Sequence, residues 1–260
     1  MKPTEGGGTQ VMRHLFSPAG EAAIAQLMGH RRVLLAFDFD GTLAPIVARP
    51  DDARVSVAIA RRLESLAGRC PVAVVTGRSI ADVRPRLGFE PAFVVGNHGA
   101  EGMDWIPSGR GMEVLRARID SQAQALKTAG IQIEDKALSL ALHYRLSRDR
   151  DAALRAIGAL VDALPPDLHT FGGKCVVNVV SKDAPDKGEA ALALLRISAC
   201  ETLLFVGDDV NDEAVFERAR PDWLTVRIGR AQGASRAMFF LDTHSEMSAL
   251  LERIQHALDV

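Results

Sequence analysis

Four short apolar runs constrain this chain more than any other feature: Val33-Leu34-Leu35-Ala36-Phe37, Pro71-Val72-Ala73-Val74-Val75, Phe93-Val94-Val95 and Leu203-Leu204-Phe205-Val206. Strands covered on both faces lose the apolar–polar alternation, so runs of this kind belong to buried parallel sheets. Asp52 to Ala67, between the first two runs, carries Val55, Ile59, Leu63 and Leu66 at helical spacing. Strand, helix and strand in that order predict an α/β fold built on a parallel sheet. Upstream, Ser17 caps a predicted short helix that reaches Met28, with Pro18 at its first position. Met1 to about Thr9, with Gly6-Gly7-Gly8, reads as a flexible leader.

Polar residues close each apolar run. Asp38-Phe39-Asp40-Gly41-Thr42-Leu43 follows the first and Thr76-Gly77-Arg78 the second; Gly96-Asn97-His98-Gly99 follows the third and Gly207-Asp208-Asp209-Val210-Asn211-Asp212-Glu213 the last. Ligand sites of open α/β sheets lie beyond the carboxyl ends of strands, where chemistry is usually done. Singly, each has a plainer reading: a solvated acidic turn, a strand-end threonine or, for Lys187 in Asp186-Lys187-Gly188, an exposed lysine at a helix start. In order, the acid pair, hydroxyl, lysine and second acid cluster resemble the four motifs of the haloacid dehalogenase (HAD) superfamily of phosphatases. That resemblance covers Arg31 to the C-terminus.

The resemblance implies a chemistry that suits these residue types. A phosphate monoester is anionic, so its site must neutralise charge and hold the reacting groups in line. Asp38 is the implied nucleophile, forming an aspartyl-phosphate. Asp40 is the implied acid for the leaving oxygen and then the base for water. Thr76 and Lys187 would contact the phosphoryl oxygens. Mg2+ is the implied cofactor, a hard cation that prefers oxygen ligands. By family analogy Asp38, the Asp40 carbonyl and Asp208 hold it, and Asp209 and Asp212 complete or orient the shell.

From about Gly109 to Lys182 the pattern changes. A polar helix is predicted over Met112–Thr128, an extended segment over Ala137–Arg145, a helix over Asp149–Leu164 ended by Pro165-Pro166, and a strand over Gly173–Val180. In the superfamily such an α+β insertion is a cap that chooses the substrate. The expected organisation is therefore a leader and short helix (1–30), a Rossmann-like parallel-sheet HAD core (31–108 and 183–260) and a smaller α+β cap (109–182).

Within the superfamily the chain resembles the trehalose-6-phosphate phosphatases. The match rests on Asp38 to Ile46, Thr76-Gly77-Arg78, Gly96 to Glu101, the cap segment Glu134 to Arg145, Gly173-Lys174-Cys175-Val176 and Asp186-Lys187-Gly188. It implies hydrolysis of trehalose 6-phosphate, the last step of trehalose biosynthesis. The substrate contacts would be Gly77, Arg78, Asn97, His98, Glu134, Lys136, Arg145, Lys174 and Asn178. Trehalose-phosphate synthase is an implied partner; the chain has no room for it as a fused domain. One position departs from the family: Asn178 stands where a glutamate is usual, four residues after Lys174. Strand alternation would put Lys174, Val176 and Asn178 on one face. An amide both donates and accepts, whereas a carboxylate only accepts. The preferred sugar is therefore open to change.

Several candidates carry alternatives. Arg78 could contact phosphate or a carboxylate, and His98 could contact substrate or pack in its loop. Glu134 and Lys136 could grip sugar or form a surface pair. His143 and Arg145, two apart in a strand, share a face. His169, His244, Trp105 and Trp223 read as structural or packing residues. A net charge of −2 gives no drive towards nucleic acid or an anionic membrane. No apolar stretch is long enough to span a bilayer, no signal-peptide pattern opens the chain, and Cys70, Cys175 and Cys200 form neither a disulfide framework nor a zinc motif. A cytoplasmic enzyme is expected. Two other functions fit less of the sequence: a HAD phosphatase for another sugar phosphate or sugar-phosphoglycerate, and a non-catalytic phosphosugar-binding module.

Overall fold

The computed structural model describes residues 12–106, 108–173, 175–230 and 235–259. The expected leader to Thr9 and the candidate Lys174 lie outside them. The chain begins with β1 (Arg13–His14), α1 (Pro18–Met28), β2 (Val33–Phe37), α2 (Val57–Ala67), β3 (Val72–Val75), α3 (Ile80–Leu87) and β4 (Phe93–Val95). It continues through α4 (Gly111–Ser121), α5 (Ala123–Thr128), β5 (Gln132–Asp135), β6 (Ser139–His143), α6 (Arg150–Val161), β7 (Leu168–Gly173) and β8 (Val176–Ser181). It closes with α7 (Lys187–Ile197), β9 (Thr202–Gly207), α8 (Glu213–Glu217), β10 (Leu224–Ile228), β11 (Phe239–Leu241) and α9 (Met247–Asp259).

One sheet is wholly parallel, in the order β1-β11-β10-β9-β2-β3-β4. Strand β2, interior to the sheet between β9 and β3, is buried along its whole length, as its apolar run requires. Leu35, Phe37, Val74 and Val206 face a core completed by Ile24, Leu63 and Leu251 from α1, α2 and α9. Leu34, Ala36, Val75 and Phe205 face the other way, against Ala191 and Leu194 of α7 and Phe216 of α8. From β2 the chain winds outward to β3 and β4, then returns through β9 to wind the opposite way. The crevice beyond the ends of β2 and β9 is thus the topological switch point, where ligands bind in such sheets.

A second, antiparallel sheet runs β5-β6-β8-β7. Its core of Leu115, Ile119, Leu142, Ile157, Leu160 and Val179 belongs to the inserted segment alone. The parallel core with an α+β insertion is therefore present.

Local expectations change in four places. Residues 112–128 form two helices, broken at Gln122, where the Ser121 hydroxyl donates to the Arg118 carbonyl instead of leaving the turn regular. Ala137, at φ +67°, turns the chain between β5 and β6, so that strand starts only at Ser139. Cys175, at φ +63°, divides the expected strand 173–180 into the ends of a β7–β8 hairpin. Helix α2 starts at Val57 rather than Asp52, because Ser56 accepts from the Ile59 amide and caps it there. Residues 13–28 are part of the core: β1 pairs with β11, and Glu21 of α1 binds Arg253 of α9 at 2.7 Å. No helix among the described residues is long and apolar enough to cross a membrane.

Candidate active site

Strand β2 delivers Asp38 to the crevice, and the Asp38 amide still donates to Val206 of β9 (2.9 Å). Lys187 opens α7, whose N-cap Asp186 forms a capping box with Glu189. Its ammonium donates to Asp38 Oδ1 and Asp212 Oδ1, both at 2.7 Å. These three side chains are 1%, 6% and 0% exposed. Asp212 Oδ2 accepts from the amides of Asp208 and Asp209 at 2.8 and 2.9 Å, which ties the lysine to the acidic loop after β9. Burial alone would lower the Lys187 pKa, but Asp212 and Asp38 hold it above its ordinary value, so it stays a cation. Burial pushes Asp38 well above the usual carboxylate range; Lys187 opposes that, while Asp212 and Asp208 add to it.

Carboxylate oxygens of Asp38, Asp208 and Asp212 lie within 4.8 Å of one another. Three buried carboxylates against one ammonium, offering oxygen donors only, suit a hard divalent cation. Gly41 makes this possible. It sits at φ +82°, and a Cβ there would lie 2.2 Å from Asp208 Oδ2. Asp209, expected to complete or orient the shell, lines the cavity and caps the turn at Val210–Asp212 by accepting from the Val210 amide. The structure groups Asp212 with Asp38 and Asp208.

Asp40 faces Arg78, whose Nε and Nη2 donate to its two carboxylate oxygens at 2.7 Å each. Of the two partners open to Arg78, the structure shows the carboxylate. Asp40 and Asp82 hold the Arg78 pKa above its ordinary value although burial opposes them. The Thr76 hydroxyl accepts from the Arg78 amide (3.2 Å), and its carbonyl accepts from the His98 amide (2.9 Å). Gly77 is packed so closely on His98 that a Cβ would lie 2.3 Å from Cε1. Asn97 and His98 are both left-handed, at φ +49° and +61°, an uncommon conformation for residues other than glycine. Asn97 supports it by donating to Glu101 (2.7 Å) and accepting from Ser139 of β6 (2.6 Å). Asn97 therefore links core to cap. Burial, helped by the charges of Lys136 and Lys187, pushes the His98 pKa well down, so this imidazole is neutral.

The cap stands over a half-open cavity of about 190 Å³ lined by Asp38, Asp40, Gly77, Arg78, His98, Asp208 and Asp209. Its contribution is Glu134 of β5, Lys136 and Arg145 beside the strands, His143 of β6, and Val176 and Asn178 of β8. Lys136 donates to the Gly77 carbonyl (2.8 Å), joining the cap to the loop after β3. Glu134 is held below its usual pKa by His143 (2.9 Å) and Lys136, which outweigh the opposing effect of burial. Thr76, Asn97 and Lys187 are buried at this site. His244 bonds the Leu43 carbonyl (3.1 Å), His169 is exposed, Trp223 is buried and Trp105 half-buried.

Site residues beyond the sequence candidates are Asp82, Arg86, Glu101, Ser139 and Asn211. Arg78, Asp82 and Arg86 recur every four residues, which was the available signal for that cluster. Ser139 and Asn211 carry no signal of their own.

Comparison with known proteins agrees with this geometry. Residues 36–245 match the trehalose-phosphatase family model. A trehalose-phosphate phosphatase of Mycobacterium tuberculosis is 30% identical, over 96% of this chain and 68% of its own length. An uncharacterized glycosyl hydrolase from the same organism is 33% identical over 76% of this chain, which spans only 16% of that protein. The solved C-terminal domain of a Candida albicans trehalose-6-phosphate phosphatase shares the fold, with a TM-score of 0.77 at 22% identity, covering 96% of this chain and 98% of that one. With the motif residues gathered at one strand-end crevice, the chain belongs to the trehalose-phosphatase family.

Proposed function

We propose that this protein is a Mg2+-dependent phosphatase that hydrolyses trehalose 6-phosphate through an aspartyl-phosphate on Asp38. The observation that carries this reading is the single cavity in which Asp38, Asp40 and Asp208 meet hydrogen-bonding side chains of the cap. Residues 109–182 are assigned as the cap, 31–108 and 183–260 as the catalytic core, with 13–28 joined to that core.

Asp38 attacks phosphorus while the ester P–O bond breaks, and Asp40, protonated once one of its oxygens leaves the Arg78 fork, passes that proton to the departing sugar oxygen. Water then attacks phosphorus, Asp40 takes its proton, and the Asp38 carboxylate is released with inorganic phosphate. Lys187 keeps Asp38 oriented, and the Thr76 hydroxyl supplies a hydrogen bond to the phosphoryl oxygens. Mg2+, held by Asp38, Asp208 and the Asp40 carbonyl, would neutralise phosphoryl charge. Glu134, Lys136, Arg145 and Asn178 read the sugar hydroxyls, and neutral His98 adds an uncharged contact. A trehalose-phosphate synthase would supply the substrate in the cytoplasm.

A second reading, a different sugar phosphate, is favoured by Asn178, which is 5% exposed and lines the cavity in place of the family's glutamate. Phosphate release with and without Mg2+ tests both readings, using trehalose 6-phosphate, glucose 6-phosphate, sucrose 6-phosphate and glucosyl-3-phosphoglycerate, with Asp38→Asn as the blank. Selective release from trehalose 6-phosphate supports the first reading and selective release from another ester the second. No release from any ester defeats both.

A further inference from the structure

Behind Asp40 stands a buttress of two arginines and one aspartate. Arg78 spends two donors on Asp40, and its Nη1 donates to Asp82 Oδ2 at 2.7 Å. Arg86, one helical turn further along α3, grips the other oxygen, Asp82 Oδ1, through Nη2 and, at 3.1 Å, through Nε. Each arginine also holds the loop before α2: Arg78 Nη2 reaches the Pro50 carbonyl (2.9 Å) and Arg86 Nη1 the Asp51 carbonyl. Asp82 is the joint between them. Each of its oxygens serves one arginine, and the Asp82 amide donates to the hydroxyl of Ser79, the residue that caps α3.

A planar guanidinium binds a carboxylate in a fixed fork, so the tilt of Arg78 sets the plane of the Asp40 carboxylate. Arg78 alone could not hold that tilt, because its side chain has several rotatable bonds and one face borders the cavity. Asp82 and Pro50 fix it from behind. We infer that Asp82 is a positioning residue for leaving-group protonation, acting on Asp40 through Arg78. This rests on the phosphatase reading above. It assigns Asp82, which lines no part of the cavity, a role that differs between substrates.

The difference arises in the first chemical step. When a sugar alkoxide departs, the P–O bond breaks as Asp40 gives its proton to that oxygen; when p-nitrophenolate departs, the oxygen leaves as a stable anion and needs no proton. kcat/KM reports steps only up to departure of the leaving group, so the later use of Asp40 as a base does not enter. The test is therefore kcat/KM for trehalose 6-phosphate divided by kcat/KM for p-nitrophenyl phosphate, in wild type, Asp82→Ala and the isosteric Asp82→Asn. A fraction of unfolded enzyme lowers both values equally and cancels in the ratio. The expected result is a fall in the ratio of about tenfold or more in both variants, a part of the roughly hundredfold or more that general acid catalysis supplies. An active wild type with an unchanged ratio in both variants overturns the role of Asp82 and leaves the function standing. A wild type that hydrolyses neither ester overturns the phosphatase reading, and the role of Asp82 with it.

Discussion

Replacing Lys187 by methionine removes one ammonium from between two buried carboxylates. Methionine fills similar volume, so little packing is lost. What changes is charge: Asp38 and Asp212, 6% and 0% exposed, each lose a charge-assisted hydrogen bond. Removing one partner of a buried ion pair costs roughly 3–5 kcal/mol. At about 2–4 °C per kcal/mol for a chain of this size, the Tm of the metal-free protein should fall by roughly 6–20 °C. Asp212→Asn separates this account from lost packing. Asp212 Oδ2 serves the amides of Asp208 and Asp209, so an asparagine oxygen must take that place. Its amino group then points at the Lys187 ammonium, donor against donor. In the double variant that conflict disappears, together with one buried carboxylate. The double variant should therefore be more stable than the summed single losses by at least ~1 kcal/mol. Urea unfolding with a chelator present, followed by far-ultraviolet circular dichroism, yields all four free energies. Losses that add within about 0.5 kcal/mol would refute the reasoning.

Gly41→Ala should lower kcat/KM about a hundredfold and weaken Mg2+ binding by calorimetry, because the new Cβ would lie 2.2 Å from Asp208 Oδ2 and displace it; unaltered Mg2+ binding would contradict this. Asn178→Glu should change the ratio of kcat/KM for trehalose 6-phosphate over glucose 6-phosphate by about tenfold, the worth of one hydrogen bond; no change would place Asn178 outside substrate reading. In the cap, Arg116 donates to Asp135 at 2.6 and 2.9 Å and holds its pKa below the ordinary value. A carboxylate depressed in the fold stabilises above its unfolded pKa of about 3.9 and loses that stabilisation as pH falls through the lower folded value. Arg116→Met should thus lower Tm at pH 7, and the gap between the two melting curves should narrow as pH falls through that lower folded value, leaving the part owed to the lost bond to the Ala137 carbonyl; parallel Tm profiles across that range would count against it.

What the sequence shows of this fold depends on burial. β2, β3, β4 and β9 are legible because their faces are covered and their runs are apolar throughout. β1, with Arg13 and His14, is an edge of two residues and carries no pattern; its place is set by pairing with Phe239 and Phe240. β5 is largely exposed, so nothing selects apolar residues along it. The site divides in the same way. Asp38, Thr76, Lys187 and Asp208 follow apolar strands or open a helix, which fixes their position from local sequence. The separate parts of Asp209 and Asp212 are not legible in this way, since both lie in one tight turn and the direction each side chain takes depends on its backbone partners. Arg78 is equally ambiguous, because the fork that binds a phosphate binds a carboxylate as well.

The partners of the cations explain why a metal would suit this site. Lys187 faces Asp38 and Asp212, Arg78 faces Asp40 and Asp82, and Lys136 donates to the Gly77 carbonyl with Glu134 3.7 Å away. None of the three presents unbalanced positive charge to an incoming phosphate ester. Their positive charge is committed to fixing the carboxylates that react or bind, which is preorganisation in the electrostatic sense. Asp208 and Asp209 also line the cavity, where five acids stand against the cations Arg78, Lys136 and Arg145, and a net charge of −2 offers no longer-range attraction. A divalent cation held beside Asp38 and Asp208 would reverse the local sign where a phosphate ester would sit. On this electrostatic argument a metal would govern substrate binding as much as turnover, and the cap would need to supply only the hydrogen bonds that distinguish one sugar from another.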